Sequence, residues 1–263
     1  MGIDRLAQRN THLVCVPTTA GTGSEVTPYA IFHHEAEQLK KGVVSDHIVP
    51  DAAYIDPNLT KTMPPAVTAA TGMDAMTHCV EAYVNRYAHP MVDLYALQGI
   101  RLIAANLRTA VEAGDEIAAR EAMALGSLYG GLCLGPVNTG ATHALAYPLG
   151  GEFHVPHGIS NSVLLPSVAA FNLPARPKRY AEIAIAMGVA PAASDEETAS
   201  LGIEKIVELS RACGIPPGMA SLGLPHEAIP HMAESSMKVT RLLRLNPRDV
   251  KRSDTEAIYR AAM

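Results

Sequence analysis

The pattern of apolar and polar residues changes near residue 63 and divides the chain into two unequal parts. Before that point the apolar runs are short and separated by turn residues, which is typical of strands. The first run ends at Pro17 and leads into a loop of small and hydroxyl residues, as a buried parallel strand often does. We predict strands at residues 12–16, 26–33, 42–45 and 52–55.

Beyond residue 63 the apolar residues recur at helical spacing. Pro64 and Pro65 suit the first turn of a helix, where a missing N–H costs little. Glycine or proline follows several of the predicted helices and marks where they end. One of them, at residues 116–134, is rich in Ala and Gly, which predicts close packing against its neighbours. The helices are predicted at residues 66–85, 92–113, 116–134, 138–147, 158–171, 177–187, 198–213, 226–237 and 253–262.

The two parts together predict a mostly α protein. Residues 1–62 form a small segment that contains the strands, and residues 63–263 form an all-helical domain. At roughly two hundred residues, the helical part lies within the usual size range of one domain. The segment with the strands is too small to be a nucleotide-binding domain by itself.

Composition and charge narrow the class of protein. The 263 residues are 48% hydrophobic and 18% charged, as in ordinary soluble globular proteins. The net charge is -5 and the basic residues are scattered, which argues against a nucleic-acid partner. No apolar run approaches the roughly 20 residues of a membrane helix, and the four cysteines form no closely spaced pair. We therefore expect a cytoplasmic protein with reduced thiols and no membrane partner.

Candidate metal chemistry begins in the first helix of the helical part. Asp74 and His78 are four residues apart, so a helix places their side chains on one face. This spacing also occurs in a surface pair or in a helix–helix hydrogen bond. Small and apolar neighbours favour a pair that is shielded from solvent. His143 has apolar neighbours and would need a partner if buried, and His157 stands at a predicted helix start. One carboxylate and three imidazoles suit Fe(II) or Zn(II) better than Mg(II) or Ca(II).

Two further features are less specific. His154 has three interpretations, as a fifth metal ligand, a proton relay near the substrate or a structural residue, and we favour the relay. The loop at residues 18–25 follows a predicted strand and contains two glycines among hydroxyl residues. Such loops let backbone N–H groups approach a phosphate or a cofactor ring, but a plain turn has the same composition.

Several separated motifs, in the right order, resemble those of the iron-containing (group III) alcohol dehydrogenase family. They comprise a loop similar to that family's cofactor loop, its metal signatures and its C-terminal sequence. The motifs lie at residues 17–27, 63–65, 72–78, 156–161, 246–248 and 258–262. The resemblance covers nearly the whole chain from about residue 12 onward.

The resemblance implies a reaction, two cofactors and a set of site residues. The reaction is reversible hydride transfer between a small alcohol or aldehyde and a nicotinamide dinucleotide, NAD or NADP. The implied ligands of the divalent metal, Fe(II) or Zn(II), are Asp74, His78, His143 and His157. The implied cofactor-binding residues are Thr18, Thr19, Thr22, Ser24, Thr27, Tyr29, Lys40, Leu59 and Met63. The family also implies a homodimer.

The sequence departs from the family pattern in two places. It contains no Gly-Gly-Gly-Ser segment, which binds the pyrophosphate in family members, so it resembles the C-terminal part of the family architecture. Residues 1–62 then correspond to the last strands of a truncated α/β dinucleotide-binding domain, and residues 63–263 to the helical metal-binding domain. The second departure is Tyr147, which stands where many members carry a histidine. We expect His154 or Tyr147 to pass the proton of the reaction towards solvent.

Two hypotheses of different classes follow. The first is a metal-dependent alcohol dehydrogenase; the motifs match lyases, glycerol-type dehydrogenases and maleylacetate reductases of the wider superfamily less well. The second is a catalytically silent metal-binding helical fragment that needs the missing nucleotide-binding part. Binding of NAD(H) by this chain alone would separate the two hypotheses.

Overall fold

The structure, a computed structural model, describes residues 2–34 and 39–263. Strands β1 to β5 of the described part are short and lie in its first quarter. They are β1 (Gly2–Ile3), β2 (Val14–Cys15), β3 (Tyr29–His34), β4 (Leu39–Val44) and β5 (Ala52–Ala53). One sheet has the strand order β1-β4-β3, and β2 pairs with β5.

The strands lie where the sequence predicted them, but the first one is not buried. Strands β3 and β4 are antiparallel, with Tyr29 opposite Val44, and β2 runs parallel to β5. Each of the four predicted strands overlaps an observed one. The prediction of a buried first strand is wrong, because Val14 and Val16 are 44% and 48% exposed. A pair of two-residue strands is too small to bury its own side chains.

In the described part of the chain, ten α-helices follow the strands. They are α1 (Pro65–Val84), α2 (Pro90–Glu112), α3 (Ile117–Leu134), α4 (Ala141–Glu152), α5 (His157–Asn172), α6 (Pro177–Ala186), α7 (Asp195–Ala212), α8 (Ile229–Met237), α9 (Thr240–Leu243) and α10 (Arg252–Ala261). Nine were predicted, and α9 is a single turn that is too short to show a hydrophobic period. The mostly α fold class is confirmed. None of the described helices is both long enough and apolar enough to cross a membrane.

Helix α4 continues past the point where the sequence-based prediction ended it. That prediction stopped at residue 147 because Pro148 lacks an N–H and disfavours a helix interior. The helix nevertheless runs on to Glu152. Leu145 and Leu149, on either side of the proline, are both 0% exposed. Burial of these side chains offsets the lost backbone hydrogen bond, and the predicted helix end was wrong.

Helix α1 is the centre of the helical part. Every residue from Gly72 to Val84 is buried, and α1 packs against α2, α3 and α5. The contact with α2 is so close that a Cβ added at Gly72 would lie 2.3 Å from Leu107 Cδ1. Large side chains of α1, α2 and α3 are almost completely buried, among them Met73, Met76, Ile100, Ile103 and Met123. Polar residues on α1 are therefore held inside a densely packed core.

Helix α3 holds the loop at residues 18–25 against the helical part. Gly23 adopts a left-handed conformation with φ of 60°. A Cβ at Gly131 of α3 would lie 2.6 Å from the Gly23 carbonyl oxygen, so the two backbones are in direct contact. The predicted close packing of this glycine-rich helix is confirmed. Its consequence is that the loop has a fixed position relative to α1.

The Gly131 contact can be tested by adding one methyl group. For Gly131→Ala we expect the free energy of unfolding to fall by about 1–3 kcal/mol, because the backbones must move apart. Gly135→Ala is the matched control, since a Cβ there meets only Pro28 Cδ at 3.8 Å. Urea denaturation measures both variants. Equal losses in the two would contradict the packing argument.

Candidate metal centre

Three helices bring the predicted metal ligands together. Asp74 and His78 lie one turn apart on α1, His143 lies in the first turn of α4, and His157 is the first residue of α5. The start of α5 lies directly against α1, because a Cβ at Gly158 would be 2.2 Å from the Ala70 carbonyl oxygen. Residues far apart in sequence thus converge on the Asp74 carboxylate.

The distances within this cluster are similar to one another. From Asp74 Oδ1, the Nε2 atom of His78 is 3.9 Å away, and those of His143 and His157 are each 3.7 Å away. Ligand atoms of Asp74, His78 and His143 all lie within 4.8 Å of one another. The His78 and His143 rings are stacked with centroids 4.9 Å apart. His157 is the most accessible of the four, with 37% of its side chain exposed.

This donor set fits a divalent transition metal. The separations of 3.7 and 3.9 Å are too long for hydrogen bonds. Two ligands bonded to one ion at about 2.0–2.2 Å lie roughly 3.4 Å apart in tetrahedral geometry, close to these values. Among the described residues, no lysine or arginine forms an ion pair with Asp74, which is only 3% exposed. A bound cation would supply the countercharge that this carboxylate needs.

The local electrostatics favour the protonation states that bind metals. Burial raises the pKa of Asp74, but the three imidazoles and the Asn161 amide outweigh it, so the pKa is lowered overall. Burial lowers the pKa of His78. An ionised carboxylate and a neutral imidazole are the forms in which these side chains coordinate a metal.

Asn161 lies at the centre of the cluster, and sequence reasoning assigned it no role. Its Nδ2 donates to Asp74 Oδ1 at 2.6 Å and lies 3.1 Å from His143 Nε2 and 3.2 Å from His157 Nε2. Its Oδ1 is buried and has no hydrogen-bond partner in the described protein. The available signal was its position four residues after His157 on the same helix. Asn161 orients the carboxylate of Asp74.

Glu81 is a second residue that sequence reasoning missed. Its Oε2 lies 2.6 Å from His143 Nδ1, and its Oε1 accepts a hydrogen bond from the Thr142 backbone N–H at 2.6 Å. Proton donation from Nδ1 to this carboxylate leaves Nε2 unprotonated and on the side of Asp74, which is the form of the ring that coordinates a metal. Burial raises the pKa of Glu81 to about 7, and its hydrogen bonds oppose that shift. The signal in the sequence was its spacing of three residues from His78.

A cavity of about 520 Å³ opens beside the metal cluster and joins it to the small-residue loop. Five further residues that were predicted as site residues line this cavity along with the four metal-binding candidates. They are Thr22, Ser24, Thr27, Tyr29 and Tyr147. The loop and the metal cluster therefore face the same space.

Other predicted site residues do not reach this cavity. His154 is exposed, has a left-handed φ of 55° and is not part of the lining. The backbone of Lys40 lies in β4, and its side chain lies outside the described part of the structure. The cofactor-binding candidates that do not line the cavity are Thr18, Thr19, Leu59 and Met63. The roles of all these residues stay predictions.

Asn138 and Arg241 line the cavity although no motif pointed to them. Asn138 Nδ2 donates to the Tyr29 hydroxyl at 2.8 Å, and that hydroxyl donates to the Leu134 carbonyl at 3.2 Å. The guanidinium of Arg241 lies over the Tyr29 ring, 5.6 Å from its centroid. Asn138 stands at the predicted start of a helix but lies in the loop before α4, and Arg241 lies in the single-turn helix α9, so hydrophobic periodicity pointed to neither.

Comparison with known proteins found two family matches that together cover most of the chain. The family "Iron-containing alcohol dehydrogenase" matches residues 2–57, and "Fe-containing alcohol dehydrogenase family, C-terminal" matches residues 68–263. The 1,3-propanediol dehydrogenase of Klebsiella pneumoniae is 42% identical over 262 residues, which are 99% of this chain and 67% of that protein. The NAD-dependent methanol dehydrogenase of Bacillus methanolicus is 37% identical over 265 residues, 100% of this chain and 69% of that protein. A solved structure of a 1,3-propanediol oxidoreductase has a TM-score of 0.96 at 42% identity, covering 100% of this chain and 69% of that one.

The chain therefore belongs to the iron-containing alcohol dehydrogenase family, a class of NAD(P)-dependent oxidoreductases. It spans about two thirds of the length of these relatives. The family resemblance that the motifs carry is confirmed, and with it the enzyme class.

The role of Glu81 can be tested through metal affinity. For Glu81→Gln we expect about 10- to 100-fold weaker metal binding, because His143 loses the partner that fixes its ring. Glu121→Gln, on the exposed face of α3, is the matched control. Competition with a chromophoric chelator measures the Zn(II) affinity of each variant. Unchanged affinity in Glu81→Gln would contradict the positioning role.

Proposed function

We propose that this site carries out reversible hydride transfer between a small alcohol or aldehyde and NAD or NADP, at a bound Fe(II) or Zn(II). The observation that supports the proposal is the shared cavity, which has the carboxylate–imidazole cluster and the threonine loop in its lining. The relatives described above, a 1,3-propanediol dehydrogenase and a methanol dehydrogenase, favour small alcohols as substrates. A homodimer and a cytoplasmic location stay predictions.

The metal would be held by Asp74, His78, His143 and His157. A divalent ion there supplies Lewis acidity, which lowers the pKa of an alcohol hydroxyl and polarises the carbonyl of an aldehyde. The residues around it keep the ligands in place before substrate arrives: Asn161 holds the carboxylate and Glu81 holds the His143 ring. Such preorganisation means that little rearrangement is needed during the reaction.

The cofactor would lie along the loop side of the cavity. A nicotinamide ring supplies the hydride acceptor in alcohol oxidation and the donor in the reverse direction. Hydroxyl groups of Thr22, Ser24 and Thr27 lie on that side, and Tyr29 is fixed beside them by its two hydrogen bonds. Apolar side chains complete the wall and limit the access of water, which favours hydride transfer. They belong to Ile31, Phe32, Leu134 and Leu242.

Oxidation of an alcohol also releases one proton. Of the two residues predicted to carry it, Tyr147 is the better placed, because its half-buried side chain lines the cavity whereas His154 is exposed outside it. Burial raises the pKa of the Tyr147 hydroxyl. The hydroxyl is therefore a neutral phenol near neutral pH and can accept a proton as it donates its own.

Removal of the carboxylate tests both the ligand assignment and the metal dependence. For Asp74→Ala we expect the bound Zn(II) or Fe(II) to be lost, because a direct ligand is removed. NAD-dependent oxidation of 1,3-propanediol should fall at least about 100-fold, more than after loss of a residue that only orients a ligand. Asp115→Ala, in the exposed turn before α3, is the control. Elemental analysis and the absorbance of NADH give the two readouts.

Full metal content in Asp74→Ala would overturn the ligand assignment. A wild-type protein that binds one metal ion but shows no heat of binding with NADH would instead favour the second hypothesis, a catalytically silent metal-binding fragment. Binding of both groups together with turnover supports the dehydrogenase.

A further inference from the structure

Arg241 places a positive charge on the wall of the cavity beside the metal cluster. It lies on α9, which packs against α4, and its side chain is half-buried. Its guanidinium lies over the Tyr29 ring and beside the Tyr147 hydroxyl. These contacts hold the guanidinium in the lining of the cavity rather than in bulk solvent.

The charge of Arg241 has no described acidic partner. The two contacts just named are neutral aromatic side chains, and no carboxylate among the described residues forms an ion pair with it. Asp74 is the single carboxylate in the described lining of the cavity, and it is already surrounded by three imidazoles and the Asn161 amide. The cavity therefore contains a cationic group whose hydrogen-bonding capacity exceeds what the described residues use, because a guanidinium carries five N–H donors.

We propose that Arg241 selects alcohols and aldehydes that carry a carboxylate at the end remote from the reacting carbon. The inference rests on the proposed function, since it assigns the reacting end to the metal cluster. A planar guanidinium matches a carboxylate with two parallel hydrogen bonds, and partial burial strengthens such a pair. Leu134 and Leu242, which also line the cavity, suit the methylene chain between the two ends.

A purely structural role makes a different prediction. If Arg241 only supported Tyr29 and Tyr147, its loss would affect all substrates alike. If it binds a carboxylate, its loss would affect acidic substrates selectively. The ratio of kcat/KM between an acidic and an uncharged substrate of equal length separates the two roles, because a general loss of packing cancels in the ratio.

Succinic semialdehyde and butyraldehyde are suitable probes, since they share a four-carbon aldehyde chain and differ in the terminal carboxylate. With the Zn(II)-loaded protein and NADH, we expect the wild type to prefer succinic semialdehyde. In Arg241→Gln the ratio of the two kcat/KM values should fall about 10- to 100-fold, as for the loss of a charge-assisted hydrogen bond. Arg244→Gln, an exposed arginine three residues further on, is the matched control and should keep the ratio.

A ratio that is unchanged in Arg241→Gln, or that falls equally in Arg244→Gln, would overturn the proposal. If the wild type reduces neither aldehyde, the proposed function fails, and the inference is then decided by binding. Isothermal titration of the Zn(II)-loaded proteins with γ-hydroxybutyrate should show weaker binding in Arg241→Gln than in wild type, and equal binding would overturn the inference. Thermal unfolding of each variant establishes that it is folded.

Discussion

The site depends on keeping an ionised carboxylate inside a packed helical core. Asp74 is 3% exposed and has no lysine or arginine partner among the described residues. Burying an unpaired carboxylate costs several kcal/mol, so the fold must surround it with groups that favour its charge. Three imidazoles and one amide do this, and they come from three different helices. The positions of α1, α4 and α5 relative to one another are therefore tied to the chemistry of one side chain.

A second carboxylate, that of Glu81, extends this arrangement. Asp74, His78 and Glu81 form a polar stripe along one face of a helix that is buried from Gly72 to Val84. His143 stands between the two carboxylates, with Nδ1 towards Glu81 and Nε2 towards Asp74. The ring is thus oriented from one side so that its other nitrogen can coordinate a metal. Both carboxylates in the stripe accept hydrogen bonds, which makes their burial tolerable.

The cavity beside this stripe results from packing contacts that need the smallest residues. Gly23 and Gly131 bring the loop at residues 18–25 against α3, and Gly158 brings the start of α5 against α1. These contacts between backbones bring the loop and the metal cluster close together. The loop hydroxyls and the metal-binding residues line the same cavity. Arg241, on α9, lines the same cavity.

The sequence by itself determined most of the helices and the position of the metal-binding pair, because both follow from local spacing. Helical periodicity sets which residues share a face, and that rule placed Asp74 beside His78 correctly. It failed where burial outweighed a local preference, as at Pro148, and where an element was too short to have a period, as in α9. Only the tertiary structure decided that Glu81 orients His143, that Asn161 contacts Asp74 and that Arg241 lines the same cavity as the metal cluster. Each of these depends on segments distant in the chain, which are brought together by how whole helices pack rather than by the residues next to them in sequence.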